Sequence, residues 1–296
     1  MVVIEKRLQE DIQQRFGVKN FRYLASGDDS DTFLCDDTYI VKVPKHEPAR
    51  KNQVREFQLY SYLSKQLLSF QTPRTICQGY HYNIMSYIEG HTLTYEKYQT
   101  LSEKEKDALA YDEAAFLKEL HGLQVDCNEP FYNGSVQNKK EQFESDQRTL
   151  LLILEKEGWL TQQRQDAIDG IYANILEKKF LFDYVPCLTH NDFSSDNMVF
   201  RNNRLYGVVD FGDFAIGDPD NDFLCILDCS TDDFGKEFGR RVLSFYGHKT
   251  PELAERKAEI NDAYWPIQQI LLGNDRNDRR LMLSGYRCLE QQQWRI

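Results

Sequence analysis

Apolar residues recur at helical spacing through residues 2–16, where Val3, Ile4, Leu8, Ile12 and Phe16 share a side before Gly17 ends the helix. The period then shortens to two. Runs at 21–26, 32–35 and 39–43 read as strands, joined by the acidic turns 27–31 and 36–38. Alternation in 39–43 puts Ile40 and Lys42 on one face, so Lys42 has aliphatic neighbours and is expected to find an anionic partner. Residues 51–69 return to helical spacing, with Val54, Phe57, Tyr60, Tyr62, Leu63, Leu67 and Leu68 in a broad stripe and Glu56 off it. Thr72-Pro73 breaks that helix, and 76–77 and 82–87 supply two more strands. Five strands and a helix therefore fill residues 18–88, with Glu89-Gly90 as linker.

Beyond Gly90 the pattern is helical. Ser102 with Glu105 is a capping box that starts a helix bearing Leu109, Phe116, Leu120 and Leu123. Further helices are predicted at 137–157 and 162–180. The apolar runs 198–200 and 205–209 flank Asn202-Asn203, a pair that tolerates positive φ, and predict a tight hairpin. Phe234, Phe238, Val242 and Phe245 mark a helix closed by Gly247. Thr250-Pro251 starts another, which Pro266 is expected to kink or split, and the last twenty residues form one more. The predicted class is α+β: a sheet-rich N-terminal lobe over 1–90 and a mostly helical C-terminal lobe over 91–296.

Composition narrows the partners. Among 296 residues, 47 acidic and 36 basic side chains leave a formal charge of −11, which disfavours nucleic acid and favours cationic ligands. Seven cysteines are scattered without a C-x-x-C pair, so no zinc site is expected and free thiols suit a reducing cytoplasm. The N-terminus turns charged after four residues, unlike a signal peptide, and no apolar run approaches the roughly 18 residues that span a bilayer. A soluble cytoplasmic monomer is expected.

The chemistry concentrates between His190 and Asp222. An H-x-D-x-x-x-x-N box (His190, Asp192, Asn197) precedes an Asp-Phe-Gly triplet at Asp210, Phe211 and Gly212. The intervening hairpin would bring Asn197 and Asp210 together with Asp192 close by, a set of oxygens suited to a hard divalent cation and a triphosphate. Phosphoryl transfer also needs a cation for the donor phosphates. Lys42, with Glu56 on the following helix, supplies one in the right chain order.

These motifs, with the D-P-D-N-D run from Asp218 to Asp222, resemble the aminoglycoside phosphotransferases, a bilobal family related to protein kinases. The segment HNDFSSDN…GVVDFGDFAIGDPDNDF is most similar to the 2''-phosphotransferases; the 3'-phosphotransferases typically carry HGDLGxSN and DxGRxGxAD there. The resemblance implies a protein-kinase-like fold with a five-stranded antiparallel N-terminal sheet. It implies that Lys42 pairs with the α/β-phosphates and is held by Glu56, that Asp192 orients the acceptor hydroxyl, and that Asn197 and Asp210 ligate Mg²⁺. His190 would be structural. Ser194 and Ser195 would contact phosphate or cap the next turn. The glycine-rich loop is reduced to Ser26 and Gly27, candidate phosphate contacts. Met85, Ser86 and Tyr87 would meet the purine of GTP, the expected preferred donor, or of ATP.

A polycationic acceptor needs carboxylates, and they crowd downstream of the loop: Asp213, Asp218, Asp220, Asp222, Asp228, Asp232 and Asp233, then Glu237 and Asp262. Asp218 and Asp222 are the ones expected to cap helices or hold the loop. Asp220, Asp232, Asp233, Glu237 and Asp262 are the expected antibiotic contacts beside Asp192, with Trp265 offering a ring face. The alternatives are a choline-type small-molecule kinase, a protein kinase and a nucleotide-sensing pseudokinase. An aromatic box is the feature a choline site would need, and the intact Lys42, Asp192, Asn197 and Asp210 oppose a pseudokinase.

Overall fold

The computed structural model describes residues 4–27, 29–132, 136–227 and 233–294. Helix α1 (Lys6–Phe16) ends at Gly17, whose φ of +69° is the left-handed terminus glycine adopts without steric cost. Its buried Ile12 shares a core with Phe33, Val41 and Ile84 of the sheet. That sheet holds β1 (Phe21–Ser26), β2 (Ser30–Cys35), β3 (Tyr39–Pro44), β4 (Thr75–Gln78) and β5 (Asn83–Ser86). The order is β1-β2-β3-β5-β4 and every pairing is antiparallel. Helix α2 (Glu47–Leu63) crosses between β3 and β4.

Two features of α2 differ from the periodic pattern. It starts earlier, because the His46 side chain accepts the Ala49 N–H and Pro48 suits the first turn. It stops at Leu63, because Lys65 and Gln66 donate to Tyr62 and Leu63, three-residue bonds that tighten and end a helix. Leu67 is consequently exposed, while Leu68 and Phe70 still pack on the core.

The rest is mostly helical: α3 (Tyr95–Gln99), α4 (Glu103–His121) with both halves of the capping box made, α5 (Lys139–Lys156) and α6 (Gln162–Glu177). Strand β6 (Cys187–Thr189) pairs with β9 (Ala215–Gly217), enclosing the hairpin of β7 (Met198–Arg201) and β8 (Arg204–Val208). Asn202 and Asn203 turn that hairpin at φ 52° and 58°, as their amide side chains permit. Helices α7 (Leu224–Leu227), α8 (Lys236–Tyr246), α9 (Pro251–Asp275) and α10 (Arg279–Gln291) complete the chain. The five-residue α3 and the three-residue β6 and β9 are too short to show a period.

Pro266 does not split α9. Tyr264, Ile267 and Ile270 around it are buried, and α10 lies so close that a Cβ on Gly285 would stand 2.3 Å from the Pro266 carbonyl oxygen. Packing on both sides outweighs the one lost helical bond. Among the described residues no helix is long and apolar enough to cross a membrane.

The hairpin of β7 and β8 is tied to two earlier segments, the stretch before β4 and the linker after Gly90. His91 and Phe200 exchange both backbone hydrogen bonds (3.1 and 2.8 Å), and Gln71 does the same with Tyr206 and Val208. Gly90 permits this contact, since a Cβ there would meet the Phe200 carbonyl oxygen at 2.8 Å.

Candidate active site

The loop after β6 is held from below. Asp222, fully buried, accepts the backbone N–H groups of His190 (2.9 Å) and Asn191 (2.6 Å), and His121 Nε2 lies 3.0 Å from the same carboxylate. Asn191 sits at φ +66°, which reverses the chain and brings Asp192 out of the core. The buried His190 links the two halves of the centre. Its Nδ1 accepts the Asp192 N–H at 3.3 Å, so Nε2 carries the proton given to the Val209 carbonyl at 3.0 Å. The structural role expected for His190 is what its partners describe.

Asn197 closes on Asp192 as the spacing of the box requires. Its Nδ2 donates to the Asp192 carbonyl (2.8 Å) and to Oδ2 (2.7 Å), while the Val209 N–H reaches the Asn197 carbonyl at 2.9 Å. Neither of these side-chain bonds uses the Asn197 Oδ1, and the Val209 bond sets Asn197 against the residue before Asp210. Asp210 adopts φ +60° and its half-exposed carboxylate meets Lys42 Nζ at 2.8 Å. Partial burial pushes the Asp210 carboxyl up, but the charge and hydrogen bond of Lys42 outweigh it and hold it below the usual carboxylate range.

Lys42 is buried, with Nζ 3.0 Å from Glu56 Oε1 and 3.2 Å from Oε2. Burial disfavours the ammonium, yet Glu56 and Asp210 more than compensate and raise its pKa above the ordinary lysine value. The lysine is therefore a fixed cation. Asp213, next to the triplet, is pushed up by burial and by the charges of Asp192 and Asp210. Sequence spacing did not single it out as part of the centre.

The expected nucleotide contacts make hydrogen bonds of their own within the lobe. Ser26 Oγ donates to Asp31 (2.5 Å) and accepts from Lys45 Nζ (2.6 Å), which commits the hydroxyl to its own turn, and Gly27 closes that turn by donating to the Ser30 carbonyl at 3.0 Å. Met85 is buried between Ile40 and Thr75 on the neighbouring strands. The Ser86 and Tyr87 N–H groups donate to the carbonyls of Arg74 (2.9 Å) and Thr38 (2.8 Å), so neither donor is free for a purine.

Several expected acceptor contacts are used internally. Asp220 is buried, with His248 Nε2 and Lys257 Nζ each 2.7 Å away. Asp218 accepts Lys139 (2.6 Å) and Lys257 (2.8 Å) and caps the 3₁₀ turn Pro219–Phe223, so Asp218 and Asp222 do hold the loop. Asp233 is buried and accepts the Ser195 N–H at 2.6 Å, and Ser195 is buried with it. Glu237 is exposed in the first turn of α8, and its carboxylate pairs with Arg241 at 3.1 Å beside Glu103 and Asp107 of α4. Asp228 and Asp232 lie outside the described residues. Asp262 and the half-exposed Trp265 stand one turn apart on α9, and Tyr264 between them is turned inward onto Tyr172 (2.7 Å) and Asp146 (3.0 Å).

The Asp220 pairing has a measurable consequence. Burial raises its pKa, but His248 and Lys257 outweigh that and hold it at about 2. A depressed folded-state pKa stabilises the fold fully above the unfolded value of 3.8 and is lost as pH falls toward 2. Asp220→Asn is expected to cost on the order of 2 kcal/mol at pH 7 and far less at pH 2.5, read by denaturant unfolding at both. An equal cost at both pH values would show that ion pairing is not its source.

Phosphoryl transfer asks little covalent help of a protein and much positioning and charge. A fixed cation on a sheet, an aspartate held by an asparagine five residues on, and a second aspartate paired to that cation, carried by a kinase-like α+β fold, define a kinase-type phosphotransferase. The description "Phosphotransferase enzyme family" (APH) matches residues 20–258, and the chain belongs to that family. A solved gentamicin complex of APH(2'')-IIa is 56% identical over 98% of this chain and 97% of that one, with a TM-score of 0.95. ADP-bound APH(2'')-Ib is 55% identical over 95% of each chain at a TM-score of 0.91. An aminoglycoside 3'-phosphotransferase of Escherichia coli is 29% identical over 163 residues, so this chain spans about half the length of that relative (53% of this chain, 55% of the other).

Proposed function

We propose that this protein transfers the γ-phosphate of a purine nucleoside triphosphate to the 2''-hydroxyl of aminoglycosides such as gentamicin and kanamycin. The observation that carries it is the convergence of Lys42, held by Glu56, on Asp210 while Asn197 orients Asp192. The likeness to a gentamicin-bound 2''-enzyme supports the acceptor class and the regiochemistry.

In this reading residues 1–90 form the nucleotide lobe and 91–296 the catalytic and acceptor lobe, in a cytoplasmic monomer. Lys42 holds the donor phosphates, and Asp192 accepts the acceptor hydroxyl proton while aiming its oxygen along the line of transfer. Asn197 and Asp210 would hold Mg²⁺, whose bound charge neutralises the phosphate oxygens. Their two hard oxygens suit an ion that takes its other ligands from phosphate and water, and the described residues contain no cluster of three or more acidic, His or Cys ligands for an all-protein cage. Asp262 and Trp265, one turn apart on α9, are the acceptor contacts proposed there.

Coupled nucleotide turnover with gentamicin, kanamycin, neomycin and choline tests the proposal. Turnover with gentamicin and kanamycin is expected; turnover with choline alone, or independent of any aminoglycoside, overturns it. GTP is the preferred donor with ATP accepted, because the flexible Met85 leaves room for either base. The ADP-bound relative supports the adenine arm. A higher kcat/KM for ATP than for GTP removes that preference.

A further inference from the structure

We propose that Tyr60 is a positioning residue for phosphoryl transfer: its hydroxyl, on α2 of the N-terminal lobe, holds the Asp210–Phe211 peptide so that Asp210 faces the metal and phosphates. The periodic pattern makes Tyr60 a member of an apolar stripe. Its ring is indeed buried, at 1% exposure, but the hydroxyl lies inside the catalytic machinery. Tyr60 Oη accepts the Phe211 N–H at 3.3 Å, and the carboxylate of Glu56, one turn earlier on the same helix, is near enough to help push the phenol pKa up after burial. A phenol oxygen can accept that bond, which a leucine or phenylalanine cannot do.

The bond falls where the backbone needs it. Asp210 is a non-glycine residue at φ +60°, a conformation that persists only when its surroundings enforce it. The Phe211 N–H belongs to the next peptide, so capturing it restrains the rotation that would relax Asp210 and swing its carboxylate away. Ring packing supports the same geometry: Tyr60 meets Phe211 edge-on at 5.7 Å between centroids, and Phe211 lies 4.4 Å from His190. Glu56 and Tyr60 of α2 thus act on neighbouring points, Glu56 on Asp210 through Lys42 and Tyr60 on the Phe211 N–H.

The inference rests on the proposed phosphotransferase reading, and its test separates the two. Tyr60→Phe removes one oxygen and keeps the ring, leaving the buried Phe211 N–H without an acceptor. Binding of Mn²⁺·GTP, followed by electron paramagnetic resonance without turnover, is expected to weaken about tenfold or more. kcat should fall about tenfold to a hundredfold while KM for the aminoglycoside stays within about twofold, measured well below the variant's Tm. The Phe211 amide should be protected from hydrogen exchange in the unsubstituted protein and exposed in the variant. Unchanged Mn²⁺·GTP affinity and kcat with only a lowered Tm would make the hydroxyl merely structural and overturn the proposal. An unprotected Phe211 amide in the unsubstituted protein overturns it without any variant. If that protein binds Mn²⁺·GTP but phosphorylates no aminoglycoside, the functional reading fails while the binding and exchange measurements still decide Tyr60.

Discussion

Asp192→Asn is expected to lower kcat by about 10²- to 10⁴-fold, the range for losing a positioned proton acceptor, while leaving the fold and nucleotide affinity nearly intact. The substitution is isosteric. Asn197 Nδ2 already donates to the Asp192 carbonyl and to Oδ2, and an amide oxygen can accept the second bond as well as a carboxylate oxygen. The group then left toward the acceptor is an NH₂, which donates and cannot take a hydroxyl proton. Steady-state turnover, the nucleotide Kd and the Tm, which should move by no more than about 4 °C, check this together. A variant within tenfold of the original kcat would remove Asp192 from its role.

Lys42→Met should act on both chemistry and stability. Loss of the cation is expected to lower kcat/KM for the nucleotide by about 10²- to 10³-fold, the usual effect of removing one preorganised charge-stabilising donor. It also strips the buried Glu56 of its counter-charge, which costs up to about 3–5 kcal/mol when the remaining ion stays charged. Burial already raises the Glu56 pKa against the pull of Lys42, and without the ammonium that rise must grow. A raised folded-state carboxyl pKa means that the native state binds more protons, so stability is retained below the unfolded value of 4.5 and falls as pH climbs through the folded one. The variant's Tm should therefore increase from pH 8 to pH 5 relative to the original protein. A parallel Tm profile for the two proteins would refute the link between Lys42 and Glu56.

The parts of the centre legible along the chain are those set by short spacings. The H-x-D-x-x-x-x-N box places Asn197 where a single turn returns it to Asp192, and the Asn202-Asn203 turn folds the hairpin that brings up Asp210. Local period also placed Lys42 on the sheet and Glu56 on the next helix. It erred where local signals yield to packing. Pro266 does not divide α9 because α10 closes on it, and residues 64–69 leave the helix although their leucines continue the stripe.

The acceptor side was the least legible, for the same physical reason. A carboxylate is available to a cationic ligand only if no nearer cation or N–H has claimed it. Asp220 is claimed by His248 and Lys257, from 28 residues away and beyond, and Asp233 by the Ser195 N–H, 38 residues back. Nothing in the local pattern announces either claim. The role of Tyr60 was hidden in the same way, since its partner Phe211 lies 151 residues along the chain.

The amino-acid sequence by itself singled out Lys42, Glu56, Asp192, Asn197 and Asp210, because strand alternation, helix period and a tight turn act over a few residues. Only the tertiary structure decided which of the acids are claimed by distant partners and which atom meets the Phe211 N–H. Those choices depend on charges and donors meeting across the fold, where distance in space has no fixed relation to distance along the chain.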